Sequence, residues 1–75
     1  MDKIAQILAV VFRMKIELID DNLTRDAVPR WDSLTHMDMI TSLEEHFNIQ
    51  FDMDEIVEMQ DFSTIKILIN KKLGS

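Results

Sequence analysis

The sequence predicts an all-α fold: a small four-helix bundle of three main helices plus a short third one, with a long loop between helices 1 and 2. Three observations carry that reading. One Gly and one Pro in 75 residues leave too few breakers for a turn-rich β architecture. Apolar residues recur at three- and four-residue intervals, the period of a helix face. Asp32 and Ser63 stand at the mouths of later apolar runs, where helix caps belong.

Ile4, Ile7, Leu8, Val11 and Met14 predict a first helix over roughly residues 2–14, with Asp2 as its cap. A long segment follows, roughly 15–31, with Asp20-Asp21-Asn22 as a turn signal and Pro29 near its end. Its apolar residues Ile16, Leu18, Ile19, Leu23 and Val28 predict a loop pinned to the body, and loops of this length are often functional. Asp32 is the expected N-cap of the second helix, Ser33 its first residue and Asn48 its stop after Phe47. Ile40, Leu43 and Phe47 form its buried stripe, with His36 alongside as a partly buried structural histidine and His46 on the surface. Leu34, Asp38, Thr41 and Glu45 form the opposite stripe, acidic with an apolar residue at its leading end. After the extended piece Ile49-Gln50-Phe51, a brief third helix is expected from about Met53 to Met59. Ser63 is the expected cap of a fourth helix carrying Ile65, Leu68, Ile69 and Leu73.

The length allows a single domain, 1–75, near the lower limit at which one core suffices without staples. Hydrophobic residues at 47% supply that core, so disorder is not expected. No cysteine means no disulfide, thiolate zinc site or catalytic thiol. A net charge of −6 opposes nucleic acid and anionic membrane, and favours basic patches on other proteins. No apolar run reaches the roughly 18 residues of a membrane span, and Met1-Asp2-Lys3-Ile4 does not open a signal peptide. The expectation is a cytoplasmic monomer, with Gly74-Ser75 given no role.

From Asp32 to Asp61 there are nine carboxylates and no Lys or Arg. A serine that starts a helix and leads such a face is a site on which other proteins act, rather than a nucleophile of this chain. A serine hydrolase wants the elbow Gly-x-Ser-x-Gly, and Trp31-Asp32-Ser33-Leu34-Thr35 lacks both glycines. Calcium binding from Asp52-x-Asp54 with Glu55 and Glu58 fails on spacing. Ile56 and Val57 stand where an EF-hand loop needs a ligand and a Gly, so no metal is expected.

Asp32-Ser33-Leu34 at a helix start, the following Leu43-Glu44-Glu45-His46-Phe47 and the later short acidic helix resemble the acyl carrier proteins. The tripeptide alone turns up by chance in roughly a few per cent of chains this long, and its position at the helix start is what gives it weight. The resemblance spans essentially the whole chain: length, acidity, helix order, long first loop and site of the serine. It implies a non-catalytic carrier of lipid or polyketide metabolism, fatty acid biosynthesis included. Ser33 would carry a 4′-phosphopantetheine arm attached by a separate phosphopantetheinyl transferase using coenzyme A. Asp32 and Leu34 would complete that site. The arm's thiol would hold acyl or aminoacyl groups as thioesters for partner enzymes with basic docking patches. The positions matching the family's recognition face are Leu34, Asp38, Glu44 and Glu45, with Asp54, Glu55 and Glu58 on the third helix. A run of charge is usually a solvated face; one-signed charge without basic neighbours fits fast, salt-sensitive docking better.

Met37, Met39, Met53 and Met59 read as core and gap-filling residues. The resemblance adds an interior that opens to shelter an acyl chain. Arg30-Trp31 is the main departure, since many fatty-acid carriers have Gly before the motif; it points to a specialised carrier. Trp31 either packs the loop end against helix two or touches the arm or a partner, and Arg25 and Arg30 either mark the site or balance Asp20, Asp21 and Asp26. The competing reading is a small acidic interaction module in which Ser33 stays unmodified.

Overall fold

Aspartates set the helix starts. In the computed structural model, which describes residues 2–74, Asp2 accepts from the Ile4 and Ala5 N–H groups at 2.9 and 3.2 Å and opens α1, Lys3–Phe12. Asp32 opens α2, Ser33–Phe47. Asp52 opens α3, Met53–Glu58, through a reciprocal capping box with Glu55. Met1 and Ser75, the outer residues of the expected domain, lie outside the described residues.

Two helix ends carry left-handed residues. Arg13 has φ 54° and stops α1 two residues short of the expected Met14. The Met14 N–H then reaches back to the Ala9 carbonyl at 3.0 Å and the Arg13 N–H to that of Val10, a Schellman closure. Asn48, at φ 55°, ends α2 as expected, with the Ile49 N–H on the Glu44 carbonyl.

The fourth helix corrects the sequence reading. It spans Phe62–Gly74, two residues earlier at its start than a Ser63 cap allows. Asp61 takes the capping role and accepts from the Thr64 N–H at 2.7 Å. The long loop explains the choice. Thr24 and Asp61 form an isolated antiparallel bridge, with the Arg25 N–H on the Gln60 carbonyl at 2.8 Å and the Phe62 N–H on the Leu23 carbonyl at 3.1 Å. That pairing holds Asp61 extended and lets the helix begin at Phe62, which is buried.

The loop also contains two 3-10 turns, Ile16–Leu18 and Arg25–Ala27. It is pinned as expected by Ile19, Leu23 and Val28, all buried, while Leu18 stays exposed. A radius of gyration of 11.3 Å matches the ~11 Å of a compact chain of this length, so the loop adds no extension. Leu8, Phe12, Met39, Ile40, Leu43, Met59, Ile65 and Ile69 form the sealed centre. The methionines therefore divide: Met39 and Met59 are core, whereas Met37 and Met53 (74% exposed) face solvent, against the reading that grouped them. Phe47 and Leu68 are half-buried at the rim, and Leu73 is exposed.

Candidate functional site

Ser33 occupies the first position of α2, where the backbone N–H groups lack intrahelical partners and the helix dipole favours negative charge. Its side chain is exposed. Asp32 sits outside the helix in extended conformation and accepts from the Thr35 N–H at 2.9 Å. That backbone bond, followed by one to the Thr35 hydroxyl, holds the Asp32 carboxyl below the usual carboxylate range. Leu34, 77% exposed, projects its side chain into solvent one residue on.

Beneath this turn lies a polar relay absent from the sequence reading. Trp31 is 3% exposed and its ring lies 4.6 Å from that of Phe12, so the indole packs the loop end against α1. Its Nε1–H donates to His36 Nδ1 at 2.8 Å. An indole N–H only donates, so Nδ1 must accept and the ring proton sits on Nε2. Nε2 in turn donates to the Ile56 carbonyl in α3 at 2.8 Å. His36, 5% exposed, is thus a fully satisfied structural histidine joining loop, α2 and α3. Arg25 adds a second tie, its Nε–H donating to the Trp31 carbonyl at 3.0 Å. Asp21 of the loop pairs with Lys66 of α4.

Among the described residues, open grooves flank α2, and two of them bear on the placing of the site. One, of about 550 Å³, runs from Phe12 and Met14 past Val28 and Arg30 to Asp32 and Thr35, beside the serine. The other, of about 530 Å³, lies between α1 and α2 and reaches Ser42 and His46. Ser42 is about 180° around the helix from Ser33, which separates the second groove from the site.

The chain matches no protein-family model and no curated protein. Among solved structures it is similar to the holo acyl carrier protein from Geobacter metallireducens, determined by solution NMR. The two share 30% identity and superpose with a TM-score of 0.84, over 93% of this chain and 80% of that one. The chain belongs to the acyl carrier protein family. It is a carrier, not an enzyme.

On the carrier, the carboxylates named from sequence fall into two groups. Asp38, Glu45, Asp54 and Glu58 are exposed. Glu44 instead turns back and accepts from the Phe51 N–H at 2.9 Å, fastening the end of α2 to the segment before α3. Glu55 closes the capping box and pairs with Lys72 of α4 at 2.8 Å. The Lys72 bond, then the Asp52 N–H, holds the Glu55 carboxyl below its ordinary range. Glu44 and Glu55 thus have partners within the fold, Glu55 a basic one supplied by α4 from outside the segment 32–61. Met37, Met53 and Val57 are exposed on the same two helices and were missed. The spacing held one signal: Met37 lies three residues from Leu34, on its side of the helix.

Proposed function

We propose that Ser33 carries a 4′-phosphopantetheine arm, installed by a phosphopantetheinyl transferase from coenzyme A. The observation that carries the proposal is an exposed hydroxyl at the first position of α2, behind an ionised Asp32 cap, in a chain of the carrier family. Ser33 Oγ attacks the pantetheine-side phosphorus of coenzyme A and loses its proton to a base of the transferase. The pyrophosphate P–O bond breaks and adenosine 3′,5′-bisphosphate leaves. The new phosphodiester stays at a helix N-terminus, where its charge is favoured. Once attached, the arm's thiol holds an acyl or aminoacyl group as a thioester.

Partner enzymes with basic docking patches would meet Leu34, Asp38 and Glu45 on α2 with Asp54 and Glu58 on α3, around an apolar centre that includes Met37. The reading includes a cytoplasmic monomer; a formal charge of −6 supports the monomer through self-repulsion. Among the described residues no helix is long and apolar enough to cross a membrane.

The test is intact mass after incubation with coenzyme A and a broad-specificity transferase, beside Ser33→Ala. One phosphopantetheinyl group gained by the parent and none by a folded mutant is the expected result. No gain in the parent, with a known carrier modified in parallel, transfers the reading to an unmodified interaction module.

A further inference from the structure

We propose that Trp31 and His36 together lock the seam between α2 and α3, so this carrier holds short acyl groups outside the bundle. The inference rests on the carrier reading and deepens it.

Ser33 and His36 lie one turn apart, so a chain leaving the serine toward the seam between α2 and α3 passes the imidazole. There it meets a continuous line of contacts: Phe12 against Trp31 at 4.6 Å, the indole N–H on His36 at 2.8 Å, and His36 on the Ile56 carbonyl at 2.8 Å. Parting α3 from α2 breaks the last bond and leaves a buried N–H and a carbonyl facing hydrocarbon. Trp31 cannot compensate, since its single donor is already used and it accepts nothing. Behind the line, Met39 and Met59 are fully buried, so aliphatic carbon enters only by displacing core side chains. A chain of a few carbons recovers too little from burial to offset these losses.

The experiment loads the full chain at Ser33 from acetyl- or hexanoyl-coenzyme A, and compares the Trp31 indole N–H resonance and the melting midpoint. In the parent, the indole signal is expected to hold its position and the two midpoints to agree within about 1 °C. In Trp31→Phe with His36→Leu, an apolar pair of similar bulk, hexanoyl is expected to raise the midpoint over acetyl by about 4 °C or more. A displaced indole signal or a raised midpoint in hexanoyl-loaded parent overturns the inference and leaves the carrier reading standing. No hexanoyl effect in a folded double variant overturns the assignment to this pair. If that variant does not fold, the parent comparison decides alone. Failure of both acyl groups to load overturns the carrier reading, and this inference with it.

Discussion

At the scale of single residues, Asp32 and the methionines show how position decides what a side chain does. The Asp32 carboxylate is favoured in the fold by the Thr35 N–H, so its folded pKa lies below its unfolded one. Its stabilising contribution is complete above the unfolded value near 3.8 and is lost as pH falls through the lower, folded value. Asp32→Ala is therefore expected to lower stability by a constant amount between pH 7 and about 5, with the gap narrowing below about 4. Urea unfolding of both proteins across that range tests the sign, and a gap that widens in acid would refute it. The methionines give a contrast in kind. Met59→Ala empties a sealed site and should cost about 2–4 kcal/mol, whereas Met53→Ala, at an exposed position, should stay within about 0.5 kcal/mol. Equal losses in the same unfolding assay would contradict the division. Spacing could not have separated them, because Met53 begins a helix of six residues, too short to show which face turns inward.

Among the elements, α3 is the one held from outside. None of its residues is fully buried, and six residues cannot sustain a helix unaided. Its anchors are the His36 bond to the Ile56 carbonyl and the Lys72–Glu55 pair, with Met59 plugging the core just past its end. Lys72→Met removes one anchor and keeps the aliphatic stem. We expect the melting midpoint to fall by about 2–4 °C and amide exchange to accelerate in 53–58 while α2 is unchanged. Uniform acceleration across the chain would mean that α3 unfolds only with the whole. The helix order, the pinned loop and the first two of the four caps, Asp2 and Asp32, were legible because caps and periodicity are local. The fourth was not, because Asp61 and Ser63 both suit a helix start and the deciding bridge to Thr24 comes from residues far away in sequence. The same holds at the site: Ser33 and Asp32 are readable side by side, while the Trp31–His36 bond depends on the path of a long loop.

For the whole molecule, the question is how much of the acidity is left for partners. Of the nine carboxylates between Asp32 and Asp61, five are committed within the chain: Asp32, Asp52 and Asp61 to caps, Glu44 to the Phe51 N–H and Glu55 to Lys72. Asp38, Glu45, Asp54 and Glu58 remain exposed, two on each of the helices beside Ser33. Exposed charges of one sign mainly set encounter rates, and salt screens them over about 10 Å at 0.1 M. Reversing Asp38 and Glu45 together to lysine should therefore slow modification by the transferase about tenfold or more at low ionic strength, with the difference shrinking as salt rises. The matched pair Glu44→Gln and Glu55→Gln should instead lower the melting midpoint and leave that salt dependence close to the parent's, since those carboxylates serve the fold. The two pairs distinguish charge that steers from charge that builds. A salt-independent loss in the first pair would mean that the face is recognised by shape, with Leu34 and Met37 in the leading role.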